Sequence, residues 1–104
     1  MYGAIIDARA AFGGQIQVRD LEDLTALVKE SEVRTGRPGR IFVITGACRD
    51  VYRIACEPHG YWVERLGYES DPVWSGHLFP EQLAAHSLGS ALREGRLFTR
   101  LLGD

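Results

Sequence analysis

A chain of 104 residues with 45% hydrophobic and 25% charged side chains is long enough for one core and too short for two. It is too apolar to stay disordered and lacks the run of roughly 20 apolar residues that crosses a bilayer. Its net charge of −2 excludes a uniformly basic nucleic-acid binder. We read residues 1–104 as a single domain. Acidic Asp7 close behind Ile5 and Ile6 departs from the basic-then-apolar layout of a secretory signal, so the sequence is read as cytoplasmic.

The charge is unevenly spread. Residues 1–33 carry three basic and six acidic side chains, residues 34–65 six and three, and the remainder three and five. Such asymmetry steers partners more than it stabilises folds.

Tyr2 to Ala8 and Gln15 to Val18 read as two short strands separated by the Gly13-Gly14 turn. Asp20 is placed to cap a helix running to Glu32, with Glu22 and Asp23 facing the positive end of its dipole. Leu21, Leu24, Leu27 and Val28 form its apolar stripe. Thr35-Gly36-Arg37-Pro38-Gly39 ends that helix in a loop, because proline removes a donor and restricts its predecessor. Ile41 to Ile44 is continuously apolar, as in a central strand covered on both faces. Val51 to Cys56 and Tyr61 to Leu66 continue a meander through a Glu57-Pro58-His59-Gly60 hairpin loop. Val73-Trp74 adds a short edge strand. A second helix is expected from Pro80, with Leu83, Ala84, Leu88, Ala91 and Leu92 on its apolar face, Gly89 weakening its centre and Gly95 ending it. The tail Leu97, Phe98, Leu101 and Leu102 is apolar enough to dock. The expected fold class is α+β: an antiparallel sheet of about four to six strands with two main helices packed on it.

Chemistry-bearing sets are sparse. Cys48, Cys56, His59 and His77 are competent metal ligands, but their spacing does not match paired structural-zinc motifs. Both cysteines are read as reduced, buried thiols. A bridge between them requires their strands to form a hairpin that brings the side chains together. Ser75 with His77, and His86 beside Ser87, are the local nucleophile pairings; neighbouring residues of one helix point in different directions, so His86 and Ser87 are not read as a dyad. The nucleophile elbow, the P-loop and the dinucleotide fingerprint are missing. No catalytic residue, metal or cofactor is assigned.

Two binding readings use the remaining residues. Arg37, Arg40, Arg49, Arg53 and Trp62 together describe a platform for single-stranded nucleic acid. Tyr61, Trp62, Tyr68 and Trp74 near turns, opposite an acidic first helix, describe a protein interface.

The order of elements resembles immunity protein family one, the small cognate inhibitors of bacterial polymorphic toxins. Gly14 to Val28 looks like that family's opening strand and Leu-rich helix. Ile41 to Ile44, Val51 to Cys56 and Tyr61 to Leu66 look like its meander, and Glu81 to Gly95 like its closing helix. Arg93-Glu94-Gly95-Arg96-Leu97 lacks the proline often found after that helix. The resemblance implies no catalysis and a stoichiometric complex with a nuclease or deaminase toxin. Charge complementarity then falls to Asp20, Glu22, Asp23, Glu64, Glu69 and Asp71, with Tyr68 and Trp74 as anchors. An anti-defence inhibitor, such as an anti-CRISPR protein, has the same physical description.

Overall fold

The computed structural model describes residues 15–47, 49–67 and 71–100. The expected Tyr2 to Ala8 strand, the Gly13-Gly14 turn, Cys48, Tyr68, Glu69, Leu101 and Leu102 lie outside the described residues.

After a short strand β1 (Gln15–Gln17) comes helix α1 (Leu21–Thr35). The Asp20 carboxylate accepts from the Asp23 amide at 2.8 Å, while the Asp23 carboxylate accepts from the Arg19 amide at 3.1 Å. Two otherwise orphaned amides at the helix start are thereby satisfied. The helix runs three residues beyond Glu32 because Gly36, at φ 71°, takes the left-handed conformation and donates to the Glu32 carbonyl.

The meander follows as β2 (Arg40–Ile44), β3 (Asp50–Glu57) and β4 (Gly60–Leu66), and Glu57 pairs with Gly60 across the Pro58-His59 turn. Strand β5 (Pro72–Leu78) is longer than the Val73-Trp74 edge expected. The second helical stretch is split into α2 (Pro80–Ala85) and α3 (Ser87–Glu94), with His86 extended between them at ψ 166°. Gly89 explains the break better than it weakens a helix. A methyl group there would stand 2.2 Å from the Ala84 carbonyl oxygen, so only glycine lets the first turn of α3 approach the end of α2.

The apolar tail contains a strand, β6 (Leu97–Arg100), that enters the middle of the sheet. Among the described residues the sheet has six strands, all antiparallel to their neighbours, in the order β1-β6-β2-β3-β4-β5. Leu24 and Val28 of α1, Leu83 of α2, and Leu88, Ala91 and Leu92 of α3 form one core with Phe42, Ile44, Tyr52, Ile54, Tyr61, Val63 and Leu97 of the sheet. Alternation along the strands puts these sheet residues on one face, so α1, α2 and α3 share a layer. Ile41, Val43, Arg53, Ala55, Trp62, Glu64 and Phe98 belong to the other face, which no described helix covers; Val43 there is nevertheless buried. Expectation and structure therefore differ for β2, whose helical cover is one-sided.

Arg40 ties the layers together. Its side chain is wholly buried; Nε donates to Thr99 Oγ1 at 2.9 Å, Nη1 to the Leu27 carbonyl at 3.4 Å, and Nη2 to the Arg100 carbonyl. Thr99 Oγ1 in turn donates to the Ile41 carbonyl at 2.6 Å. Glu30 Oε1 lies 3.8 Å from Nη1 and supplies a countercharge from the surface. The buried Ser31 hydroxyl beside this network has no hydrogen-bond partner among the described residues.

Arg40→Met should lower unfolding free energy by roughly 3 kcal/mol, since buried acceptors lose their donor. Gly89→Ala should cost about the same, roughly 3 kcal/mol, through overpacking against Ala84. Val33→Ala, at a site 87% exposed, should change it by less than about 0.5 kcal/mol. Urea midpoints measured on the three variants check these values.

Candidate functional site

The exposed apolar surface is concentrated on one margin of the sheet. Of the five large hydrophobic side chains left exposed among the described residues, Trp62, Val73, Trp74 and Phe79 lie on β4, on β5 or directly after β5, and only Val33 lies elsewhere. The β4–β5 register explains the grouping: Trp62 faces His77, Glu64 faces Ser75 and Arg65 faces Trp74. Leu66 then pairs with Pro72, which leaves Val73 as the extra residue of a bulge.

On the face that no described helix covers, Trp62 stands between an ion pair and a histidine–carboxylate contact. Arg53 Nη1 lies 3.1 Å from Glu64 Oε1, and His77 Nε2 lies 3.4 Å from Glu57 Oε1. The His77 ring meets Phe79 edge-on with centroids 4.8 Å apart. An exposed tryptophan flanked by side chains that already hold each other is a preorganised contact surface, because less side-chain freedom remains to be lost on binding.

Trp74 points to the other side. Its indole stacks on His86 at 5.7 Å and 28°, and Tyr52 meets the same imidazole edge-on at 5.8 Å. Asp50, Arg65 and Ser87 complete this cleft, with Arg65 Nη2 3.3 Å from Asp50 Oδ1. Ser87 Oγ is 3.3 Å from His86 Nδ1, and the Leu88 amide donates to that same nitrogen at 3.1 Å. His86 is the N-cap of α3. Its backbone is extended, so the ring does reach Ser87, contrary to the divergence expected within one helix, while Nδ1 also serves as the cap acceptor.

The remaining candidates fall apart by location. Cys56 lies on the helix-covered face and His77 on the other, His59 occupies the hairpin turn, and among the described residues no three His, Cys, Asp or Glu side chains are grouped to hold a metal. Cys56 is a free thiol whose pKa is raised by burial and then by the Glu32 charge, so it stays protonated and poorly nucleophilic at neutral pH. Arg40, placed on the nucleic-acid platform by the sequence, is withdrawn into the core, and Arg53 is engaged by Glu64. Tyr61, read as an interface anchor, is buried and shares a 2.6 Å hydrogen bond with Thr25.

Among the partner-binding candidates, Glu64, Asp71 and Trp74 sit along the β4–β5 margin. Asp20 and Asp23 serve as caps at the start of α1, with Glu22 exposed beside them. The sequence reading passed over Val73, His77 and Phe79 as contact residues. Their signal was the uncharged run Pro72 to Leu78, framed by Asp71 and Glu81. Comparison with protein-family models, curated proteins and solved structures finds no match to this chain.

Burial lowers the His86 pKa below its ordinary value, and protonation of Nδ1 would turn the cap acceptor into a donor aimed at the Leu88 amide. The neutral ring therefore contributes stability that is fully present above the unfolded-state value of about 6.5 and is lost as pH falls through the lower folded value. His86→Asn keeps a capping oxygen and should remove this component of the acid transition. Stability followed from neutral to acidic pH, wild type against variant, checks it.

Proposed function

We propose that this protein is a non-enzymatic inhibitor of the immunity type, which neutralises a cognate bacterial toxin of nuclease or deaminase kind through a stoichiometric protein complex. The observation that carries the reading is that four of the five large hydrophobic side chains exposed among the described residues, Trp62, Val73, Trp74 and Phe79, lie on or beside β4 and β5, with the Arg53–Glu64 ion pair next to Trp62. Interfaces draw their affinity from a few such aromatic anchors surrounded by polar groups.

The chemistry around the margin supports binding over turnover. In the close serine–histidine pair, His86 Nδ1 serves as the cap acceptor of α3, and the half-buried thiol is held protonated. Carboxylates are plentiful nearby: Glu57, Glu64, Asp71 and Glu81 are on or next to the same strands. Enzymes that act on nucleic acid present basic substrate channels, and carboxylates beside an aromatic patch both speed encounter with such a surface and occupy the place of phosphates.

Co-expression with the toxin encoded by the neighbouring gene should restore growth, and the purified pair should form a one-to-one complex. Trp62→Ala and Glu64→Lys should each weaken that complex by at least about tenfold without altering the urea midpoint by much. Absence of binding and protection by the wild-type chain would remove the proposal. So would a catalytic turnover that vanishes on His86→Asn in a folded variant.

A further inference from the structure

We infer that the outer edge of β5 is a docking site for an extended segment of the partner protein, one that is apolar in its middle and basic at its ends and that adds to the sheet as a seventh strand. The identity of the partner as a toxin rests on the function proposed above; the edge itself does not.

A strand at the margin of a sheet presents unpaired amides and carbonyls, and proteins ordinarily protect such edges with charges, prolines, bulges or shortness. The opposite margin of the described sheet is β1. Strand β5 spans Pro72–Leu78, and no described strand pairs with its outer side. Its protection is confined to the first two positions, where Pro72 lacks a donor and Val73 forms the bulge. From Trp74 to Leu78 the strand is regular and contains no Lys, Arg, Asp or Glu. Backbone pairing along such a segment supplies affinity, and the side chains beside it supply selectivity.

Charge at the two ends selects the occupant. Asp71 precedes the strand and Glu81 follows it, both exposed. Antiparallel pairing with a second copy, in the register that sets Trp74 against Leu78, would bring Asp71 of each chain to the start of the other's α2, where Glu81 adds a like charge at both ends. A foreign strand with lysine or arginine at its ends turns those two repulsions into attractions. Trp74 is not free to stand out from the edge, since its indole folds over Gly76 and stacks on His86. The approach to the backbone is thereby left open on that face.

The test uses the full chain and two synthetic peptides of alternating valine and threonine, one flanked by lysines and one by glutamates. The lysine-flanked peptide should protect amides of Trp74 to Leu78 from hydrogen exchange, and the glutamate-flanked peptide should bind at least about tenfold more weakly. N-methylation of alternate peptide residues should abolish binding when it falls on the edge facing β5 and not when it falls on the other. The double variant Asp71→Lys, Glu81→Lys should reverse the peptide preference. Protection at another segment, equal affinity for both peptides, or self-association of the free chain through β5 would each overturn the inference. Toxin neutralised while the β5 amides stay unprotected would sink the edge assignment and leave the inhibitor standing. Edge pairing by the peptide in a chain that neutralises no toxin would do the reverse.

Discussion

A guanidinium taken out of water is the constraint around which this fold closes. Arg40 begins β2, and from that position its three nitrogens reach α1 through the Leu27 carbonyl and β6 through Thr99 and Arg100. A buried cation is tolerated only where hydrogen bonds replace its hydration. The acceptors are therefore not interchangeable with a generic apolar contact. The helix must present a carbonyl, and the last strand must arrive in one register, with Thr99 opposite Phe42 and Ile16. Apolar packing drives the collapse of the core, but it is non-directional. The Arg40 network fixes which strand lies where.

That placement leaves the two faces of the sheet with different duties. The described helices all pack on one side, and the Arg53–Glu64 ion pair and the His77–Glu57 contact lie on the other. Strand β5 forms one margin of the sheet over its whole length. Function is argued from this asymmetry and not from any reactive group. His86 shows how much local backbone sets a side chain's partners: beside a hydroxyl and two aromatic rings, its Nδ1 accepts from the backbone amide of Leu88.

Local chemistry made part of this legible in the sequence. The Asp20 cap, the leucine stripe of α1 and the hairpin at Pro58-His59 are each specified by residues within a few positions of one another and are found as read; the Thr35 to Gly39 loop is found from Gly36 onward, Thr35 closing the helix. The features that escaped depend on distant partners. Leu97 to Arg100 is only an apolar tail until β1 and β2 flank it. Arg40 looked like a surface cation because nothing near it in sequence announces Thr99 or the Leu27 carbonyl. Gly89 looked like a flaw in one helix because its reason is the backbone of Ala84. At the candidate site, Glu64, Asp71 and Trp74 were named from the sequence, but their grouping with Val73, His77 and Phe79 needed the register of β5 on β4.

The position of β6 also bears on how the chain is made. Strands β1 and β2 are not hydrogen-bonded to each other; β6 fills the gap between them, although it is separated from both by most of the described chain. Pairings of such long sequence separation form late, because the loop entropy must be met before the contacts reward it. On the ribosome, α1 and the β2-to-β4 meander can assemble as they emerge, but they will wait with an open seam and an unmatched arginine until residues 97–100 leave the exit tunnel. Emergence of β6 therefore acts as the latch of this domain, and a nascent chain stalled before it would expose the seam to chaperones and proteases.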